Sequence, residues 1–290
     1  MTRLREEDLK FIGQDLNSYD ADLVKKTGLN LKGIALRAAG ISEGQMNAAL
    51  SAHTVAAIPI TSGQGRIGGF AETVGEILAH LGASLIQTSA ADVAGMAEAI
   101  EKGAEIIFLA DDHRFIAVNL PLKRVVDNGE VTARGYGTAL ELLAGTLRGK
   151  GVLVIGAAGN VGWHAVRFLI AGGAKVSAYD LDQDRLNALA SGVRVEVVRD
   201  LDKSLREHAI YFDASPAADI IPARYVGTET IISAPGIPLG VSQEAYEIVK
   251  ERIIHDPLQI GVAAMLANAI SVQEENNRIR GVDRKDQRRL

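Results

Sequence analysis

The 290-residue chain contains no cysteine. That absence excludes disulfides, a thiolate nucleophile and a zinc–thiolate site. Its apolar stretches stop short of the roughly 18 residues that read as a membrane span. The opening Met1-Thr2-Arg3-Leu4-Arg5-Glu6-Glu7-Asp8 lacks the apolar core of a secretion signal. There is no basic block in the body of the chain, and 31 Lys and Arg stand against 36 Asp and Glu, a net charge of −5. Nucleic acid is therefore not expected as a partner. Internal repeats and low-complexity segments are missing as well. These absences lead to the expectation of a soluble, cytoplasmic protein with no membrane partner and no metal centre.

What is present is apolar bulk, 47% of the residues, in a chain of a length that suits two domains. The most specific stretch is Val152-Leu153-Val154-Ile155-Gly156-Ala157-Ala158-Gly159-Asn160-Val161-Gly162, with Asp180 following at the end of Val176-Ser177-Ala178-Tyr179. It reads as strand, glycine turn, helix and acidic strand end. Glycines let backbone N–H groups approach a pyrophosphate at a helix N-terminus, and the acid holds a ribose diol. The cofactor expected is NAD, because the Asp180 carboxylate repels the 2′-phosphate of NADP and no arginine immediately follows it. The spacing, Gly-x-x-Gly-x-x-Gly, is one residue longer than the commonest form, which predicts a wider turn. Lys175, in Gly172-Gly173-Ala174-Lys175, lies between helix and strand and reads as a surface residue.

The first fifty residues place Leu9, Ile12, Leu16, Tyr19 and Leu23 on one helical face. Strands at 55–60, 83–88 and 105–110, with helices at 70–80 and 93–102 between them, predict a β-α-β-α-β unit with a parallel sheet. A connecting helix is expected over 135–147. After Asp180 come a helix at 181–190, strands at 193–198, 209–213, 230–233 and 253–255, and an apolar helix over 258–271. The expected fold is thus α/β: a smaller N-terminal α/β domain with a helical lead-in over residues 1–148, then a Rossmann-type doubly wound parallel sheet over 149–272. A charged tail occupies 273–290. The apolar helix is expected to pack back between the domains, and with the connecting helix it favours a homodimer.

Ligands of open parallel sheets sit beyond the carboxyl ends of the strands. Thr61, Ser62 and Gly63 lie at such an end and could bind a substrate carboxylate through backbone amides and the Ser62 hydroxyl; a helix cap with a flexible turn would use the same residues. Asp92 reads as an N-cap. Asp111 and Asp112 follow an apolar strand, where one of them could bind an ammonium group or act as a base, and a solvated acidic turn is the alternative. His113 is the only imidazole beside them. In the second domain Ser215, Pro216 and Pro235 follow strands and could border the nicotinamide half of the cofactor.

Taken together, Tyr19-Asp20, Thr27-Gly28, Lys32-Gly33-Ile34, Pro59-Ile60-Thr61-Ser62-Gly63, Asp92-Val93-Ala94-Gly95, Ala110-Asp111-Asp112, Pro235-Gly236-Ile237-Pro238 and Pro257-Leu258 resemble the pyrrolysine-biosynthesis dehydrogenases, the pyrrolysine synthase D family. The resemblance runs from Leu4 to about Met265. It departs in the longer glycine turn and in the extension after Val272. It implies oxidation, by NAD, of the terminal side-chain amine of the 3-methyl-D-ornithine part of lysine-Nε-3-methyl-D-ornithine, an amino-acid-derived small molecule, followed by closure of a pyrroline ring. It also implies Asp111 or Asp112 as orienter or base, Ser62 as a substrate contact, and Leu4 on a mobile N-terminal helix that closes over the ligand. A dehydrogenase of another amino acid or of a methylene-folate, and a non-catalytic NAD-sensing protein, are the competing readings.

Overall fold

Apolar residues at spacings of three and four make the start of the chain helical. In the computed structural model, which describes residues 4–271, this lead-in is α1 (Glu6–Leu9), α2 (Ile12–Thr27), α3 (Leu31–Ala39) and α4 (Glu43–Ala52). The tail expected over 273–290 lies outside the described residues. Local chemistry bounds these helices. Gly28 closes α2 by donating its N–H to the Val24 carbonyl, Asn30 caps α3 through the Gly33 N–H, and Ser42 and Gln45 form a reciprocal capping box on α4.

Next come β1 (Thr54–Ala57), α5 (Phe70–His80), β2 (Ser84–Ile86), α6 (Asp92–Glu101) and β3 (Ile106–Ala110), with β1 parallel to both β2 and β3. The expected alternation ends there. The strands β4 (Phe115–Asn119) and β5 (Arg124–Asp127) turn back as an antiparallel meander, giving the order β2-β1-β3-β4-β5. The three expected strands are parallel, as read, and the two unforeseen strands make the sheet as a whole mixed. Both strands are short, and tight turns at Asp111–Arg114 and Leu120–Lys123 precede them in place of helices, so a search for helix-linked strands passes over them. The connecting helix α7 (Asn128–Ala144) starts at Asn128 rather than Gly135, because the Asp127 side chain caps it through the Gly129 N–H.

The second sheet comprises β6 (Gly151–Ile155), β7 (Lys175–Tyr179), β8 (Glu196–Val197), β9 (Ile210–Asp213), β10 (Ile231–Ser233) and β11 (Ile253–Ile254). All its pairings are parallel, in the order β11-β10-β9-β6-β7-β8. The helices α8 (Asn160–Ala171), α9 (Gln183–Ala190), α10 (Leu201–Glu207) and α11 (Gln243–Val249) connect or flank its strands. The order reverses at β6, between β7 on one side and β9 on the other, and a doubly wound sheet binds its ligand at such a reversal.

The chain then returns in α12 (Gln259–Ile270), every residue of which is buried. This helix packs on α3, α7 and the β4–β5 edge of the first sheet. The Asn119 amide donates to the Ala269 carbonyl at 3.0 Å, and Arg124 Nη1 donates to the Ser271 carbonyl at 2.7 Å. Burial of side chains such as Ile260, Met265 and Leu266 contributes about 1.5–3 kcal/mol each. Its apolarity is thus used inside the chain, and α7 is likewise buried over most of its length, so neither helix offers the free apolar face on which the homodimer expectation rested.

A buried polar cluster ties the lead-in to this return. The Tyr19 hydroxyl donates to Asp256 Oδ2 at 2.6 Å, the Tyr136 hydroxyl donates to the Asp256 carbonyl at 2.7 Å, and Asp256 Oδ1 accepts from the N–H groups of Leu258 and Ile260. Burial pushes the Tyr19 and Tyr136 hydroxyls well above their ordinary range. It pushes the Asp256 carboxyl up too, against the pull of its hydrogen bonds.

Candidate active site

One wall of the site is the glycine turn. The Gly159 N–H donates to the Gly156 carbonyl at 3.1 Å and α8 begins at Asn160, so the extra residue of the long spacing is taken up in a closed turn. A Cβ on Gly162 would come 2.0 Å from the Gly156 carbonyl oxygen, which makes glycine obligatory for this approach of helix to strand. The Asp180 carboxylate reaches across to the same turn. Its Oδ2 accepts the Ala158 N–H at 2.8 Å and its Oδ1 the Asp182 N–H at 3.0 Å, so the acid is oriented by backbone before any ligand arrives.

The facing wall comes from the first sheet. Gly63 has φ +56°, and a Cβ there would lie 2.1 Å from the Asp112 nitrogen, so only glycine lets this loop lie against the Asp111–Asp112 peptide. The two carboxylates have different duties. Asp111 Oδ1 accepts the N–H groups of His113 and Arg114, both at 2.8 Å, and closes the β3–β4 turn. The Arg114 N–H foremost, and then that of His113, hold the Asp111 carboxyl below the usual carboxylate range. The Asp112 carboxylate has no hydrogen-bond partner among the described residues.

Between the walls lies a cavity of about 690 Å³. It is lined by Leu4, Gly63, Asp111 and Asp112 on one side. On the other side it meets Gly156, Gly159, Asn160, Val161 and Asp180, with Ser215, Pro216 and Pro235 at its far end. Three expected residues stand apart from the lining. Gly162 is buried behind the turn. Thr61 faces Asp92, its N–H donating to Oδ1 at 2.8 Å and its hydroxyl to Oδ2 at 2.5 Å, and Ser62 is exposed without a side-chain hydrogen bond. Asp92 does not cap its helix. Ala91 holds that position while Asp92, at φ +53°, secures Thr61, and the Thr61 hydroxyl and N–H hold its carboxyl down.

The lining also includes Arg114, Phe115, Asp127, Asn128 and Gly129, which sequence reasoning missed. A usable signal was present: Asp127-Asn128-Gly129 is a turn-and-cap triplet ahead of a helix.

Behind the far end, Asp213 is fully buried at the tip of β9. Its Oδ1 accepts the Ser215 N–H at 3.0 Å, while Oδ2 and the Ser215 hydroxyl are buried without good hydrogen bonds. Burial pushes the Asp213 carboxyl up to about 6, and the nearby Ser215 and Gly240 N–H groups offset this only in part. Ser215 borders the cavity, and its hydroxyl is buried there without a hydrogen-bond partner among the described residues. Together with the glycine turn, that suits a polar, phosphate-bearing cofactor.

The α/β fold with a glycine turn at the sheet reversal is that of a dehydrogenase-type oxidoreductase. Residues 8–126 match the model of the pyrrolysine biosynthesis protein PylD N-terminal domain, and residues 128–235 that of the alanine dehydrogenase/PNT C-terminal domain. A pyrrolysine synthase of Methanosarcina acetivorans is 32% identical over 92% of this chain and 98% of its own length, and that of Methanosarcina barkeri is 32% identical over 93% and 98%. The chain belongs to the pyrrolysine synthase family, with a role in pyrrolysine biosynthesis. Among solved structures, quinate dehydrogenase from Corynebacterium glutamicum, in complex with NAD, aligns at 14% identity over 68% of this chain and 87% of that one, with a TM-score of 0.48.

Proposed function

We propose that the protein is an NAD-dependent amine dehydrogenase that oxidises the terminal side-chain amine of the 3-methyl-D-ornithine part of lysine-Nε-3-methyl-D-ornithine. The observation that carries this reading is one cavity bordered by both the Gly156–Asp180 wall and the Asp111–Asp112 turn. The cofactor fits the residues present: the Gly156–Val161 turn would receive the pyrophosphate, Asp180 the ribose diol, and the Ser215–Pro216 and Pro235 segments the nicotinamide half. When bound, NAD supplies the two-electron acceptor for the carbon that bears the amine.

The chain's own residues have three tasks. Asp111, Asp112, Asp127 and Asp180 make the cavity acidic, which attracts a substrate with ammonium groups. The amine must lose its proton before it is oxidised, and Asp112, whose carboxylate is unengaged, is the residue assigned to orient it and accept that proton. Asp111, held ionised by two N–H groups, keeps the turn in shape and adds fixed negative charge. Leu4, buried and bordering the cavity, keeps water from the reacting end. The balance is R–CH2–NH2 + NAD+ → R–CH=NH + NADH + H+. Addition of the substrate's α-amine to the C=N carbon and departure of ammonia then close the pyrroline ring.

The test is NADH formation by purified protein given NAD and this substrate. Asp112→Asn is expected to lower kcat by about 10²–10⁴-fold with NADH affinity unchanged, and Asp111→Asn by much less. Full activity in both variants would remove the turn from the chemistry.

A further inference from the structure

Among the described residues, Arg114 is the only lysine or arginine that borders the cavity, and it stands among four carboxylates there, Asp111, Asp112, Asp127 and Asp180. Its side chain is exposed, yet it is held in place by Asp127. Nε donates to Asp127 Oδ2 at 3.1 Å, and Nη2 forms an ion pair with the same oxygen at 3.0 Å. Asp127 is fixed in turn, because its Oδ1 accepts the Gly129 N–H at 3.0 Å and the Asn160 Nδ2 at 3.4 Å. A Cβ on Gly129 would lie 2.1 Å from that same Asn160 nitrogen, so the Asn160 side chain at the start of α8 rests directly on Gly129 of α7. The support behind the guanidinium therefore reaches from the β3–β4 turn to the glycine turn.

A guanidinium carries five N–H bonds; here the Nε–H is donated to Asp127 and one edge of Nη2 faces the same oxygen. Both hydrogens of Nη1 and the second of Nη2 have no partner among the described residues. They form the end-on fork that matches the two oxygens of a carboxylate or phosphate. We propose that Arg114 is the oxyanion-binding residue of this cavity, braced by Asp127 so that its end fork grips a carboxylate or phosphate of the bound ligands.

Two sources supply that chemistry: a carboxylate of the amino-acid substrate and the pyrophosphate of the cofactor. The identity of these ligands rests on the proposed dehydrogenase function. The grip itself is read by binding, without turnover. Calorimetric titration of wild type, Arg114→Gln and Arg114→Lys with NADH alone, then of the NADH-loaded proteins with lysine-Nε-3-methyl-D-ornithine and the analogue in which its single free carboxylate is a carboxamide, separates the sources. The expected result is a loss of at least about tenfold in affinity for one ligand in Arg114→Gln, only partly restored by lysine, which has the charge but no fork. A loss confined to NADH assigns the pyrophosphate. A loss confined to the substrate, and absent for its carboxamide analogue, assigns the substrate carboxylate.

Asp127→Asn, which keeps the guanidinium but weakens its brace, is expected to lose affinity for the same ligand by a smaller factor and covers the case in which Arg114→Gln fails to fold. Affinities within about twofold of wild type for both ligands in a folded Arg114 variant would overturn the proposal and leave the dehydrogenase reading standing. Wild-type binding without NADH formation would sink the dehydrogenase reading and leave Arg114 to be judged by the same affinities. A wild type that binds neither ligand overturns both.

Discussion

Asp213 gives the most quantitative consequence of the site. An unfolded aspartate titrates at 3.8, whereas burial at the tip of β9 raises this one to about 6, a shift of about two units. Each unit corresponds to about 1.4 kcal/mol between protonation states, so the fully ionised native carboxylate costs about 3 kcal/mol. The folded-state pKa lies above the unfolded one, so the native state keeps its proton longer. Asp213 therefore favours the fold fully below 3.8, and its contribution is lost as pH rises to 6 and through it. Asp213→Asn removes the titration while preserving an oxygen for the Ser215 N–H. Guanidinium unfolding of both proteins at about pH 4 and about pH 7.5 should show the stability difference, wild type minus variant, falling by about 2–3 kcal/mol towards neutral pH. All other titrating groups are common to both proteins and cancel in that difference. A difference that stays constant across this range would refute the burial argument.

Two further substitutions test the frame around the cavity. Tyr19→Phe leaves Asp256 Oδ2 buried without its donor and should cost about 1–3 kcal/mol, read as a lower denaturation midpoint with an unchanged m-value. Gly63→Ala places a methyl in a left-handed backbone, at a cost of about 1–2 kcal/mol, and against the Asp112 nitrogen. It should lower kcat/KM for the substrate at least about tenfold while NADH affinity stays within about twofold, and calorimetry beside steady-state kinetics separates the two.

Legibility in the sequence followed the strength of local constraint. The Gly156–Asp180 unit was readable because a tight turn, a helix start and a strand end each demand particular residue types at set spacing. Strands β4 and β5 were not, since their pairing depends on a turn closed by the Asp111 side chain and on α12 returning from the far end of the chain. The order of residues also cannot tell which way a side chain faces. Thr61 points to Asp92 instead of the cavity, and Asp111 spends its carboxylate on its own turn while Asp112 keeps its own unengaged. Arg114 and Asp127 lie thirteen positions apart, and only the antiparallel meander brings them together. Several residues that carried the family resemblance prove architectural: Tyr19 anchors Asp256, and Asp20 binds the Leu31 N–H and His80 Nε2.

The central claim is that this cavity couples NAD reduction to loss of a primary amine. Incubation of the purified protein with NAD and lysine-Nε-3-methyl-D-ornithine, with NADH and released ammonia measured in the same sample, tests it most directly. The account predicts that both accumulate in equal amounts, and that neither appears when the terminal amine is replaced by a methyl group. Wild-type protein that binds NADH and the substrate yet forms neither product would contradict it.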